Sequence, residues 1–159
     1  MRRRRWRRSR IGQAASAGND LPAPDDLPEF VFPFFRTELG YHRAVDLRVA
    51  AGEWGRGPCT VWMRPRMPLV EGVPTSPLET VMILADAANG VAPCLPIEGF
   101  TFINPDLTVH LRRPLEGGWL GLAGQSAAEP IGTGLVQGRL FDGRGELGRC
   151  LQSLVVRAR

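Results

Sequence analysis

Residues 76–90 read S-P-L-E-T-V-M-I-L-A-D-A-A-N-G and contain the clearest structural signals of the chain. Ser76 and Glu79 have the spacing of a helical capping box, and Pro77 stands where proline fits the first turn of a helix. Apolar residues then recur at helical spacing, at Leu78, Val81, Met82, Ala85 and Ala88. The pattern predicts a helix that begins at Ser76, is apolar on most of its circumference and ends at Gly90.

One acidic residue, Asp86, stands within that apolar helix. It follows Met82 by four residues, which places it at the edge of the buried face. A carboxylate flanked by apolar side chains is partly desolvated and can act as a general base or orient a water molecule. An exposed or capping aspartate is the alternative interpretation. The candidate chemistry of the chain is centred on this residue.

Strand patterns surround the helix on both sides. Alternating or β-rich segments predict strands at Tyr41–Ala50, Cys59–Arg66, Phe100–Arg113, Trp119–Ala127, Gly134–Phe141 and Gly148–Val156. The third strand is predicted to bend or bulge at Asn104-Pro105, because proline cannot donate to a sheet ladder. The D-G-R-G segment at residues 142–145 predicts a hairpin between the last two strands. Because one helix cannot cover both faces of such a sheet, we expect an α+β fold in which an antiparallel sheet wraps around one central helix.

The charge of the chain is unevenly distributed. Seven of its twenty basic residues lie within the first ten positions, and all sixteen acidic residues follow them. The net charge of +4 thus becomes −3 when those ten residues are left out. We expect residues 1–26 to be a disordered basic and proline-rich tail, either a solvated segment or an arm that touches phosphates or anionic lipid. Residues 27–159 are expected to form one domain. Because the chain after residue 10 carries a net negative charge, we expect no nucleic-acid partner for this domain.

Several function classes lack support in the sequence. Cys59, Cys94 and Cys150 are widely spaced and form no metal-binding pattern, so buried reduced thiols and no metal are expected. No apolar run approaches the roughly 20 residues of a membrane helix, and the basic segment leads into no secretory h-region. A cytoplasmic location is therefore expected. His42 and His110 are the only histidines, and without a G-x-S-x-G elbow they indicate no serine-nucleophile triad.

Four segments together resemble the acyl-CoA thioesterase family of the thioesterase II type, whose members have the hotdog fold. They are L-A-D at Leu84–Asp86, N-P-D-L-T-V-H-L-R-R-P at Asn104–Pro114, G-T-G-L-V-Q-G-R-L-F-D-G-R-G at Gly132–Gly145 and C-L-Q-S-L-V-V-R at Cys150–Arg157. Members usually carry two hotdog domains, and the resemblance covers only the C-terminal one, from about Glu29 onward. Because a single hotdog leaves one face and one sheet edge unpaired, we expect it to pair with a second copy as a homodimer or higher oligomer.

The resemblance also implies site residues. The family's catalytic aspartate falls on Asp86 and its glutamine on Gln152, while its serine or threonine aligns with Asn104. An asparagine offers no hydroxyl, and Thr108 is an alternative donor. The implied activity is hydrolysis of fatty acyl-CoA to a fatty acid and CoA without a cofactor, by water activated at Asp86 and held by the two amides.

Several residues are candidates for substrate contacts, and two other functions are alternatives. A backbone N–H near Gly90 is a candidate oxyanion donor, and Arg112, with Arg113 and Arg64, could meet the phosphates of CoA or lie in solvent. Gln152 could equally be an outward-facing strand residue. A non-catalytic hotdog that binds acyl-CoA or serves as a partner subunit is the main alternative. A hotdog hydratase is less well supported, since Val91 stands where such enzymes carry a histidine five residues after the acid.

Overall fold

A computed structural model describes residues 20–34 and 38–159 of the chain. Within these residues it contains three α-helices, one 3-10 helix and seven strands. In chain order they are the 3-10 helix Pro24–Asp26, α1 (Tyr41–Ala44), β1 (Val45–Gly52), β2 (Cys59–Pro65), α2 (Pro77–Ala85), α3 (Ala88–Val91), β3 (Phe100–Ile103), β4 (Thr108–Leu111), β5 (Leu120–Glu129), β6 (Thr133–Asp142) and β7 (Gly145–Ala158).

All seven strands belong to one antiparallel sheet. The order is β1-β2-β5-β6-β7, and β3 and β4 both pair with the far side of β7. The β6–β7 hairpin closes at Asp142 and Gly145, as the D-G-R-G segment predicts. Apolar side chains of the inner face, among them Val61, Leu122 and Leu140, share one core with α2 and α3. The predicted α+β fold, an antiparallel sheet wrapped around a helix, is confirmed.

The start of α2 is as predicted, but its end is not. Ser76 Oγ accepts a hydrogen bond from Glu79 N at 3.3 Å, and Glu79 Oε2 accepts one from Ser76 N at 2.7 Å, which completes the capping box. The helix ends at Ala85 rather than at Gly90, which instead lies inside α3. The helix can stop early because the amide of Gln152 binds backbone groups of the junction between α2 and α3.

One side of α2 is open to solvent, although the helix is apolar on most of its circumference. Val81, Leu84 and Ala85 are buried against the sheet. Leu78 is 59% exposed and Met82 is 39% exposed. The sheet curls around one face of the helix only, and these two side chains form an uncovered apolar strip.

The first predicted strand begins later than its sequence pattern suggests. Residues Tyr41–Ala44 form the short helix α1, and β1 starts at Val45. The hydroxyl of Tyr41 donates to the carbonyl oxygen of Ile83 in α2 at 3.3 Å. The helical turn is thus accompanied by a contact between residues 42 positions apart in sequence. The local alternation of apolar and polar residues had favoured a strand there.

The third predicted strand is broken where the bulge was expected. Ile103 of β3 pairs with Val155, and Thr108 of β4 pairs with Leu151. The chain therefore advances five residues on the β3–β4 side while β7 advances only four. Asp106 Oδ1 accepts a hydrogen bond from Ser153 N at 2.8 Å, which satisfies a β7 backbone donor where the ladder is interrupted. The predicted bulge at Asn104-Pro105 is confirmed.

Part of the N-terminal segment covers the outer face of β1 and β2. Residues 1–19 of the predicted tail lie outside the described residues. Farther along, Pro22 accepts a hydrogen bond from Trp62 Nε1 at 3.1 Å, and the Leu27 carbonyl accepts one from the Arg48 guanidinium. Phe30 N donates to Leu47 O at 2.8 Å, and the Phe30 side chain packs against the core.

Candidate active site

Asp86 lies at the C-cap of α2, with its side chain exposed. Its Oδ1 accepts a hydrogen bond from Asn104 Nδ2 at 2.8 Å. Asn104 comes directly after β3, in the bulge that breaks the strand. The bulge therefore brings an amide to the end of the helix that carries the acid, and Asp86 and Asn104 meet as the resemblance implies.

Asn89 is a third member of this cluster, and no sequence motif indicates it. Its Nδ2 donates to Asn104 Oδ1 at 3.1 Å. The amide of Asn104 is thereby held with its oxygen toward Asn89 and its nitrogen toward Asp86. The signal in the sequence is weak: an asparagine inside a predicted helix is unfavourable because its side chain competes for backbone hydrogen bonds.

Gln152 lies on β7 and is completely buried, so it is not an outward-facing strand residue. Its Nε2 donates to the Asp86 carbonyl oxygen at 2.9 Å, and its Oε1 accepts from Asn89 N at 3.1 Å. Both ends of this amide bind backbone atoms of the segment that carries Asp86. The observed geometry positions the helix end, whereas the resemblance implied a contact with water.

These groups lie at one side of a cavity of about 410 Å³. Its polar lining includes Asp86, Asn89 and Asn104. Much of the remaining lining is aromatic and comprises Phe32, Phe34, Tyr41, Phe100 and Phe102. Burial, and to a smaller extent the charge of Asp86, raises the pKa of Tyr41 above its ordinary value. The Tyr41 phenol is thus neutral beside the carboxylate.

The substrate-binding candidates are divided between this cavity and other surfaces. Gly90 lines the cavity, but its N–H donates to Ala87 O at 2.9 Å within the helical turn. Thr108 is exposed on β4, opposite Leu151 of β7, and does not line this cavity. Arg112 lines a basin that it shares with Arg139 and other residues of the sheet, away from Asp86. Of the three, only Gly90 is brought to the acid.

Two other arginines considered for CoA binding form ion pairs with buried aspartates. Arg113 binds Asp142 through both nitrogens, at 2.6 and 2.7 Å. Arg64 binds Asp46 at 3.1 Å and stacks over Trp119, with its guanidinium carbon 4.3 Å from the ring centroid. Both guanidinium groups are therefore already engaged in ion pairs within the fold.

The pKa values of these two aspartates are both lowered. Burial alone would raise the pKa of Asp142, but the hydrogen bonds from Arg113 and from two backbone N–H groups outweigh it. The pKa of Asp46 is lowered in the same way, against burial, mainly by Arg48. Both carboxyl groups are thus ionised at neutral pH.

The three cysteines are free thiols. Burial raises the pKa of Cys59 and of Cys150 to about 11, which keeps them protonated at neutral pH and makes them poor nucleophiles. Within residues 20–34 and 38–159, no group of three or more His, Cys, Asp or Glu side chains could hold a metal ion. No helix in that part of the chain is long and apolar enough to cross a membrane.

Solved structures with the same fold include several larger proteins. The acyl-CoA thioesterase II TesB2 from Mycobacterium marinum is 22% identical with a TM-score of 0.62, and the alignment covers 93% of this chain and 60% of that one. A conserved hot dog fold protein of unknown function from Alicyclobacillus acidocaldarius is 18% identical with a TM-score of 0.66, covering 99% and 59%. The TesB protein from Mycobacterium avium subsp. paratuberculosis is 18% identical with a TM-score of 0.60, covering 87% and 53%.

These likenesses show that the fold is a hotdog. The chain spans about 53 to 60% of the length of these three structures. A search among curated proteins gave no match. The sequence model of the family described as acyl-CoA thioesterase C-terminal domain matches residues 17–156, which is most of the chain. By that match, this chain belongs to the acyl-CoA thioesterase C-terminal domain family.

Proposed function

We propose that this protein hydrolyses acyl-CoA thioesters with Asp86 as the general base. The observation that carries the proposal is the cluster of Asp86, Asn104 and Asn89 beside an apolar cavity, in a chain of this family. The fatty acyl group implied by the resemblance is one candidate substrate. The expected cytoplasmic location is part of the same proposal.

Asp86 has a free oxygen for catalysis. Asn104 occupies Oδ1, and in the described part of the chain no hydrogen bond reaches Oδ2. A water molecule on Oδ2 gives its proton to the carboxylate as its oxygen attacks the thioester carbonyl carbon. The C–S bond of the tetrahedral intermediate then breaks, and the CoA thiolate takes the proton back from Asp86. One water is consumed, and an acid and CoA are released.

Asn104 takes the place of the hydroxyl that the family carries. Its Nδ2 has a second hydrogen that can donate to the attacking water or to the developing oxyanion. Asn89 and Gln152 act behind it: Asn89 fixes the orientation of the Asn104 amide, and Gln152 fixes the backbone on both sides of the acid. We therefore assign Asp86 and Asn104 as catalytic residues and the other two as positioning residues.

The direct test is release of free thiol from a panel of acyl-CoAs by the purified chain and by Asp86→Ala. We expect hydrolysis by the wild type and a loss of at least about 100-fold in kcat/KM in the variant, because a positioned base contributes about 10²–10⁴. Asp25→Ala, an exposed acid in the N-terminal segment, serves as the matched control. Activity that survives in Asp86→Ala would overturn the role of Asp86.

A non-catalytic hotdog that binds acyl-CoA is the second candidate function. It is favoured by Asn104, which stands where the resemblance implies a hydroxyl residue. Binding of an acyl-CoA by a well-folded wild type that releases no thiol from any member of the panel would identify this function.

We further propose that two copies of the chain pair as a homodimer. Leu78 and Met82 leave an apolar strip on α2, and within the described residues no strand pairs with the free side of β4. An open sheet edge and an uncovered apolar strip are both liabilities that a second copy removes. Sedimentation at micromolar concentration should give a dimer for the wild type and for Ile131→Arg, and a larger monomer fraction for Leu78→Arg. A monomeric wild type would contradict the proposal.

A further inference from the structure

We infer that the acyl group accepted by this site is a flat aromatic one, so that the substrates are aryl or arylalkanoyl thioesters of CoA. The inference rests on the proposed thioesterase function and adds the class of acyl group. It comes from the lining of the cavity beside Asp86, in which aromatic rings form two walls.

The first wall is a pair of stacked rings. The centroids of Phe32 and Phe34 are 5.1 Å apart, and the rings are inclined by only 14°. Phe32 is 4% exposed, whereas Phe34 is 38% exposed. The stack thus runs from the core to an accessible ring at the cavity.

This wall is fixed to α3, the short helix that contains Asn89. Trp54 lies behind it, with its ring 5.9 Å from Phe32 and 6.1 Å from Phe34. The indole Nε1 of Trp54 donates to Gly90 O in α3 at 2.7 Å. Phe30 packs edge-on against Phe32 with centroids 5.8 Å apart and planes at 85°. The rings are therefore held in place without a ligand.

The second wall comes from β3. Phe100 and Phe102 are two residues apart on this strand, so their side chains project on the same face. Both line the cavity with Asn104, which follows the strand directly. An acyl group whose carbonyl lies at Asp86 and Asn104 therefore extends into a space bordered by these rings.

Such walls favour a ring over a flexible alkyl chain for two reasons. Aromatic pairs gain stabilisation from offset or edge-to-face geometry beyond the area they bury. A rigid ring also loses little conformational freedom when it binds, whereas an alkyl chain must be held in one of many conformations. We expect phenylacetyl-CoA to have a kcat/KM about tenfold higher than octanoyl-CoA, which has the same number of acyl carbons.

Two variants test whether the rings cause this preference. Phe34→Leu and Phe102→Leu keep an apolar wall but remove a ring, and each is expected to lower the phenylacetyl-to-octanoyl ratio at least about threefold. Trp119→Leu removes a ring outside this cavity, where Trp119 stacks with Arg64, and should leave the ratio unchanged. Circular dichroism confirms that each variant is folded.

The thioether analogues S-(2-phenylethyl)-CoA and S-octyl-CoA separate this inference from the proposed hydrolysis. Hydrolysis of octanoyl-CoA as fast as phenylacetyl-CoA would overturn the aromatic preference and leave the thioesterase standing. If no thioester is hydrolysed, tighter binding of the phenylethyl analogue that is lost in Phe34→Leu would support the inference while the proposed function fails. Equal binding of both analogues without hydrolysis would overturn both.

Discussion

Asp86 and Asp142 are both aspartates at the end of a secondary-structure element, yet their surroundings are opposite. Asp142 is completely buried and accepts hydrogen bonds from Arg113 and from the backbone of Glu116 and Arg144. Asp86 is exposed and is held by one neutral amide. A carboxylate whose oxygens are all engaged can hold the fold together but cannot take a proton from water. The difference indicates which acid is structural and which is free for chemistry.

The largest difference between the two aspartates is expected when the charge of each is removed in turn. Asp142→Asn leaves the Arg113 guanidinium without its counterion, which is expected to lower the free energy of unfolding by about 3–5 kcal/mol. Asp86→Asn, in contrast, is expected to change it by less than about 1 kcal/mol. Urea denaturation of both variants measures the two values. Equal destabilisation would contradict the division into a structural and a catalytic acid.

The next largest effect is expected from the amide that supports Asp86. Gln152→Leu leaves Asp86 O and Asn89 N without their partner, which is expected to cost about 1–3 kcal/mol of stability. The kcat should also fall, while KM changes little, because the variant displaces the acid rather than the cavity. Gln137→Leu is the matched control, since Gln137 is exposed and, within the described part of the chain, its amide bonds only to Gln125. A purely structural role for Gln152 would leave kcat unchanged in the folded enzyme.

A smaller effect is expected from Asn104, which stands where the resemblance implies a hydroxyl residue. Asn104→Ala removes the donor to Asp86 and is expected to lower kcat about tenfold, which is less than the roughly 10²–10³-fold loss typical of a preorganised oxyanion donor. Asn104→Ser supplies a hydroxyl and should retain more activity than the alanine variant. Steady-state kinetics on one acyl-CoA compares the two. An alanine variant as active as the wild type would remove Asn104 from the catalytic residues.

The smallest of these effects is expected when the pH is lowered, which changes the stability that Asp142 contributes. Because the folded-state pKa of Asp142 lies below the value of 3.8 for a free carboxyl, its stabilising contribution is fully present above that value. The contribution is lost as the pH falls through the folded-state pKa, and Asp46 behaves in the same way. The stability difference between wild type and Asp142→Asn should therefore shrink as the pH is lowered from 5 toward the acid limit. Urea midpoints at several pH values measure it, and a difference that grows on acidification would contradict the assignment.

The parts of the fold that sequence predicted are those set by local signals. The capping box at Ser76 and the bulge at Asn104-Pro105 depend on residues within a few positions of each other, and both are found where expected. The end of α2 was misplaced because Gly90 is a local stop signal, whereas the actual break is held by Gln152. That contact spans 66 positions and leaves no periodic trace in the sequence.

The candidate site was predictable only in part for the same reason. Asp86 stood out because it is an acid within an apolar helix, and the resemblance led to Asn104 and Gln152. The orientation of Gln152 could not be read from its strand pattern, which fitted an outward position equally well. Asn89 was missed because its partner lies across the fold, 15 residues away, and an asparagine next to glycine reads as a turn.

The bonds from Gln152 to the ends of α2 and α3 also have a consequence for synthesis on the ribosome. The capping box needs only residues 76–79, so the helix start has its own signals early in translation. The backbone around Asp86, in contrast, is held by Gln152, and these hydrogen bonds form only after β7 has been made and has paired with β6. A nascent chain that has not reached Gln152 therefore lacks the contacts that hold the backbone around Asp86, on which the proposed hydrolysis depends.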